Sequence, residues 1–226
     1  MATIISIASA KGGVSKTTLS VGIGTDLALE GYRVTVMDCD LNQHAVAFAR
    51  KASVPGFQVF GDITEDTLLP QLRAARTETD VIILDLPGVT SRIVMMALQK
   101  SVFVLIPCQP SLLDVRDAIR TEQQVADASE LSDRPIERAI IWTRVPSGFE
   151  SRVSKAVREN VEGRGLPMME SALMERAAFR EMFLTGSPPR ALDPPGKLSP
   201  AAANLRAISG ELLARLARIA QSETVS

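Results

Sequence analysis

Two lysines five residues apart, Lys11 and Lys16, stand in the stretch Ser9-Ala10-Lys11-Gly12-Gly13-Val14-Ser15-Lys16-Thr17-Thr18. The paired glycines let the backbone turn its N–H groups toward one point, which suits an anion. From that loop Lys16 can reach terminal phosphates, and the Thr17 hydroxyl can ligate Mg²⁺. Such chemistry has to be positioned. An apolar run, Thr3 to Ala8, precedes the loop, and a helix-like run, Thr18 to Glu30, follows it. Strand, turn and helix in that order aim loop amides and a helix N-terminus at the same place, where the helix dipole favours negative charge. The competing reading is a glycine-rich turn with solvated lysines, which explains neither flanking element.

Carboxylates recur where such a site needs them. Arg33-Val34-Thr35-Val36-Met37-Asp38 is a β-branched strand running into Asp38-Cys39-Asp40-Leu41-Asn42-Gln43. Asp80-Val81-Ile82-Ile83-Leu84-Asp85 is a second apolar run that delivers an acid, followed by Leu86-Pro87-Gly88. Uninterrupted apolar strands belong to parallel sheets covered on both faces, and open α/β sheets bind ligands at the carboxyl ends of their strands. Taken alone, each acid also reads as an ordinary strand end capping the next helix.

The remaining elements supply the frame. Leu19, Ile23, Leu27 and Leu29 give the first helix an apolar face, with Gly31 as its stop. Helices follow at Gln43–Ala52, Thr64–Arg76, Leu112–Ser129, Ser151–Glu162 and Glu175–Leu184. Strands fall at Phe57–Phe60, Ser101–Pro107 and Glu137–Pro146, with Pro167–Met169 as the last. Gly186 to Gly196 is a stiff proline-rich loop with Pro194 and Pro195 near its end. A final helix at about 199–220 starts with Ser199 as cap and Pro200 at its first position, and the tail frays from Gln221. Alternating strands and helices predict α/β: an open, mostly parallel twisted sheet with helices on both faces, as one domain over 1–226.

Composition narrows the class. The 226 residues are 46% hydrophobic and 23% charged with a net charge of −1, so no global basic field exists and nucleic-acid contact needs a local patch. Arg152, Lys155 and Arg158, spaced by three with Arg164 just beyond, offer one; a solvated face balanced by Glu150, Glu159 and Glu162 is the alternative. Two cysteines, Cys39 and Cys108, lie in or beside strand-like runs, which fits a reducing cytoplasm and no disulfide framework. No signal peptide and no apolar stretch of ~20 residues is visible. The first strand starts almost at Met1, so no helix-turn-helix precedes it. His44, the single histidine, lacks companions for a metal or triad, and Trp142 reads as core. On the final helix Leu205, Ile208, Leu212, Leu216 and Ile219 form a stripe that either packs on the sheet or targets a membrane.

The layout Lys-Gly-Gly-x-x-Lys-Thr-Thr resembles the deviant Walker A loop of the ParA/MinD ATPases, and Asp38–Asp40 and Asp85 are similar to that group's next two blocks. Arg144-Val145-Pro146 and Glu175-Arg176-Ala177-Ala178-Phe179 resemble the VirC-type branch. The resemblance implies a P-loop ATPase using ATP and Mg²⁺. The nucleotide would be held by Gly12, Gly13, Val14, Ser15, Lys16, Thr17 and Thr18, and Mg²⁺ by Thr17, Asp38 and Asp85. Asp40 would orient the attacking water, and Lys11 would cross onto a partner's nucleotide. Gly88 would belong to a phosphate-sensing loop. Pro107, Pro110, Ser111 and Asp114 are similar to an interface or switch block, although Ser111 also reads as a plain helix cap. The loop Pro194 or Pro195 would close near adenine.

Several positions depart from the pattern. Ala10 and Ser15 replace glycines, and Leu41 replaces a proline. Thr143-Arg144 stands where Asn-Arg is frequent beside the base, so Thr143 and Arg144 would border the nucleotide, with one hydroxyl where an amide offers both donors and an acceptor. The resemblance further implies an ATP-dependent homodimer that gathers basic side chains onto non-specific DNA at the nucleoid. Hydrolysis, stimulated by a ParB-like or adaptor partner, would release it. A MinD-like membrane-associated positioning ATPase and a metabolic or maturation NTPase on the same loop are the alternatives.

Overall fold

In the computed structural model, residues 2–149, 151–163, 165–194 and 196–225 are described. Seven strands, β1 (Thr3–Ile7), β2 (Val34–Asp38), β3 (Phe57–Phe60), β4 (Val81–Asp85), β5 (Phe103–Cys108), β6 (Glu137–Pro146) and β7 (Leu173–Glu175), form one sheet in the order β3-β2-β4-β1-β5-β6-β7. Every pairing is parallel. The chain builds toward β3 first and toward β7 afterwards, so β1 stands at the switch point where such sheets open a ligand crevice.

Alternation along each strand divides the core into two layers. Ile4, Ile82 and Leu84 point to one side, where they pack with Leu68, Leu98 and Val125. Ile5, Val81 and Ile83 point to the other, against Leu19, Leu27, Leu205 and Ile208. Helices cover both faces, so every position of β2, β4 and β5 is buried, which is why these strands are almost wholly apolar, with Thr35 and the terminal Asp38 and Asp85 as their polar residues. The covering helices are α1 (Lys16–Leu29), α2 (His44–Ala49), α3 (Leu68–Ala75), α4 (Arg92–Leu98), α5 (Leu112–Leu131), α6 (Arg152–Glu162), α7 (Ala177–Thr185) and α8 (Pro200–Val225).

Helix α1 is buried on nearly every side and not on one face alone. Its Gly22 lets α8 approach: a β-carbon there would meet the Leu205 side chain at 2.7 Å. Helix α8 runs to Val225, beyond the expected end near 220, and Ser199 Oγ accepts the Ala202 N–H as its cap. Leu205, Ile208 and Leu212 are buried in the core, and Leu216 and Ile219 pack on its margin. The stripe is therefore used within the fold.

The last strand lies later than expected. Met168 makes a single bridge to Ile140, and the chain pairs again only at Leu173–Glu175. Between them the Glu211 carboxylate accepts the N–H groups of Glu170 and Ser171, drawing the backbone away from β6. Helix α7 consequently begins at Ala177 and not at Glu175.

Candidate nucleotide site

The loop between β1 and α1 is built as its residue types require. Gly13 adopts φ +77° and Ser15 φ +74°, so Ser15 holds the left-handed conformation that a glycine would take freely. For an L-residue that conformation costs roughly 1–2 kcal/mol. Opposing that strain are ties from neighbouring elements. Thr143 Oγ1, fully buried, donates to the Val14 carbonyl at 3.2 Å. Gln109 Nε2 donates to the Gly13 carbonyl, and Thr121 Oγ1 accepts the Ala10 N–H.

The two lysines are placed differently. Lys16 is buried, and its ammonium donates to the Lys11 carbonyl at 2.8 Å, folded back over its own loop. Burial pulls its pKa down, opposed by Asp85 and Asp40 nearby. Lys11 points outward, 40% exposed, with Nζ 2.7 Å from Asp114 Oδ1. Hydrogen bonding to Asp114 holds its pKa up. Asp114 also accepts the Ser111 hydroxyl, and Ser111 Oγ accepts the Asp114 N–H. Ser111 is thus the cap of α5 and a support for the acid that holds Lys11.

Three carboxylates stand at or just past the ends of β2 and β4. Asp38 and Asp85 are register partners at the adjoining strand ends, and both are buried. Burial pushes the Asp85 carboxyl up to about 7, with the Asp38 charge adding to it and the Thr17 and Ser20 hydroxyls and Lys16 opposing. Ser20 Oγ donates to Asp85 Oδ1 at 3.0 Å, while Asp85 Oδ2 is buried without a hydrogen-bond partner. Asp38 is already engaged: Oδ2 accepts the N–H groups of Ala45 and Val46 at the start of α2, and Oδ1 accepts that of Asp40. Burial still raises its pKa against those bonds.

Asp40 sits half-buried just past β2, its Oδ1 accepting both the Asn42 N–H and the Asn42 side-chain amide. Gln43 Nε2 donates to the Asp40 carbonyl. Asn42 and Gln43 therefore stiffen the turn that Leu41, 99% exposed, does not. Gly88 lies directly against Lys11 and Gly12. Gln124 donates to Thr90 in the same loop.

A metal fits this arrangement in one respect. Asp85 offers an orphaned buried oxygen beside Thr17. Among the described residues no three acidic, histidine or cysteine side chains form a ligand cluster. Mg²⁺ is commonly held by one or two protein groups completed by phosphates and water, and this donor set matches that pattern.

Beside Ser15 and Thr18 opens a pocket of about 270 Å³, lined further by Arg144, Met174, Arg176 and Phe179. Arg144, at φ +53°, is the irregular residue between the Thr143 and Val145 pairings. Thr143 does not face this pocket's ligand space: it braces the loop from beneath. Arg176 carries a buried Nε without a partner. The sequence singled out Arg176 as part of a family segment and as an i, i+4 pair with Arg180, and assigned no role to Ser20, Gln109 or Thr121, since an isolated polar residue on a helix or loop carries no motif.

The expected basic patch is uneven. Arg152 and Lys155 are exposed on α6, Lys155 lies 3.8 Å from Glu159, and Arg158 is half-buried. Arg164, Glu150 and Pro195 lie outside the described residues, as does the side chain of Glu162. Trp142 is core, as expected, and His44 opens α2 at the surface. No helix among the described residues is long and apolar enough to cross a membrane.

Comparison with known proteins agrees with this geometry. The VirC1 protein family matches residues 2–187. "Protein ParA" of Rhizobium radiobacter is 33% identical over 184 residues, covering 81% of this chain and 83% of that protein. The structure of apo McdA from Cyanthece superposes with a TM-score of 0.76 at 18% identity, covering 94% of this chain and 100% of that one. Cobyrinic acid a,c-diamide synthase of Mycobacterium smegmatis, solved with an ATP analogue and magnesium, does so with a TM-score of 0.70 at 20% identity, covering 94% of each chain. Nucleotide and Mg²⁺ are thus used within this fold, which by itself does not select an activity. The matched family, the ParA relative and the phosphate loop together assign the protein: it belongs to the VirC1 branch of the ParA/MinD-type P-loop ATPases, close to the small ParA partition proteins.

Proposed function

We propose that this protein is an ATP-hydrolysing dimer switch for DNA partition or cargo positioning. The observation that carries the reading is the division of labour between the lysines. Lys16 is buried over its own loop, where it can bind the nucleotide of its own protomer, and Lys11 projects at the surface, where a second molecule can reach it. The loop amides and Lys16 would bind and orient the phosphates. Thr17 and Asp85 would hold Mg²⁺, with Asp38 behind them as support; the ion supplies charge neutralisation on the phosphates. Asp40 would orient water for in-line attack. Arg144 and Arg176 would border the base, and Thr143 would act indirectly by fixing the Val14 carbonyl.

Dimerisation would double every weak basic contact, so Arg152, Lys155 and Arg158 of two protomers would bind non-specific DNA together where one set does not. A ParB-like or adaptor protein would stimulate hydrolysis and release. The packed α8 stripe favours a DNA matrix over a membrane. DNA retention by the purified protein with ATP, ADP or no nucleotide tests the reading. Retention with ATP alone is expected; equal retention in all three states would remove the switch.

A further inference from the structure

Lys11 has a partner inside its own chain before any second molecule arrives. Its ammonium lies 2.7 Å from Asp114 Oδ1, and Asp114 is only 6% exposed. The carboxylate is fixed from its other side by the Ser111 hydroxyl, and its own N–H is anchored on Ser111 Oγ. The contact is one of several by which α5 and its leading loop grip the phosphate loop, through Gln109 on Gly13 and Thr121 on Ala10. Lys11 therefore projects from a braced base toward an acid that is itself braced.

We propose that Asp114 is a positioning residue that holds Lys11 in cis in the nucleotide-free protomer, so that Lys11 exchanges this carboxylate for phosphates on a second copy of the chain. The proposal rests on the reading of Lys11 as the lysine that acts in trans. Its physical content is an exchange of one anion for another. If Lys11 leaves without a nucleotide to receive it, Asp114 remains in a largely buried position with its charge unmatched, which is costly. If a partner's phosphates receive the ammonium, its charge stays paired throughout and only Asp114 is given up to Ser111 and solvent. Releasing Asp114 thus costs association the same in either state, and only in loaded protomers does the new Lys11–phosphate pair offset it. Asp114 would then set how much the partner's phosphates must supply before Lys11 crosses over.

Two measurements on the full chain test this. The first is competitive amine labelling of nucleotide-free protein read by mass spectrometry, with exposed Lys100 and Lys155 as internal references. Lys11 is expected to label several-fold more slowly than these in the wild type and at their rate in Asp114→Asn. Equal labelling in the wild type overturns the latch. The second is sedimentation equilibrium with ATP, ADP or no nucleotide. Asp114→Asn is expected to tighten association with ATP about two- to fivefold, the range for one partly exposed ion pair, and to leave empty protomers, which offer Lys11 no phosphate, unchanged. Ser111→Ala, which leaves the carboxylate in place, should move both readouts the same way by less, and stands in if Asp114→Asn does not fold. In a Lys11→Gln background Asp114→Asn should have no further effect; a full effect there would mean that Asp114 acts on helix α5 alone and overturns the proposal. If wild type and variant both bind ATP yet neither associates, the trans reading of Lys11 has failed and the exchange falls with it, while the labelling still decides the cis contact separately.

Discussion

Gly88, in the loop after β4, lies against the backbone of Gly12 so closely that a β-carbon on Gly88 would stand 2.8 Å from the Gly12 amide nitrogen and 2.9 Å from the Lys11 carbonyl carbon. Both neighbours are main chain and cannot rotate aside. The two loops that would respectively bind and sense phosphate are therefore in mechanical contact, and only glycine permits it. Gly88→Ala should separate them at a cost of about 1–3 kcal/mol, the usual range for overpacking. Nucleotide affinity by titration calorimetry should fall while circular dichroism stays native. Wild-type affinity would show that the contact does not shape the loop.

Lys16→Ala removes a cation aimed at the phosphates, and Asp40→Ala removes a water-orienting carboxylate. The first should weaken ATP binding by about 10- to 100-fold, as for the loss of a charge-assisted hydrogen bond. The second should leave binding intact and slow hydrolysis by about 10²–10⁴-fold. Phosphate release alongside fluorescent-nucleotide binding separates the two. Unchanged turnover in Asp40→Ala would take Asp40 out of the mechanism.

Thr143→Val is nearly isosteric but leaves the Val14 carbonyl without its donor. A loss of about 1–3 kcal/mol in stability follows from an unsatisfied buried acceptor. Nucleotide affinity should fall as well, because the loop loses its support from below. A base-contact role would instead predict a change in preference between purines with stability unaltered.

Charge reversal at Arg152 and Lys155 should weaken DNA retention and flatten its salt dependence, provided that α6 faces the duplex. Filter retention across a salt series reads both. An unchanged slope assigns this helix to solvent.

Asp80 receives two N–H bonds from the Arg33 side chain and one from its backbone, and these hold its carboxyl down at about 2. A carboxylate with a depressed folded pKa contributes stability above its unfolded value near 3.8, and that contribution disappears as pH falls through about 2. Urea unfolding should therefore show Asp80→Asn clearly less stable than wild type at pH 6, with the gap narrowing from pH 4 toward 2. A constant gap would mean that the pair's charge is irrelevant.

Much of this protein is legible in local sequence. Continuous apolar runs such as Val81–Asp85 leave a parallel sheet with two covered faces as the consistent solution, because such strands can expose neither side. The strand-turn-helix around Lys11–Thr18 likewise identifies a phosphate loop, since its amides, glycines and lysines act within ten residues of one another. Where the last strand falls was not legible: Pro167–Met169 has suitable residues, but Glu211, 40 and 41 residues later in the chain, captures the Ser171 and Glu170 amides and moves the pairing to Leu173. Nor was the bond from the buried Thr143 hydroxyl to the Val14 carbonyl, which joins residues 129 positions apart. Nor was the anchoring of α2 on Asp38, whose Oδ2 accepts the Ala45 and Val46 amides. The sequence by itself determined the elements, their order and the reactive groups, because periodicity and motif chemistry act over a few residues. Only the tertiary structure decided which polar group satisfies which, because hydrogen bonds such as that between Lys11 and Asp114 join residues that the chain separates by 103 positions.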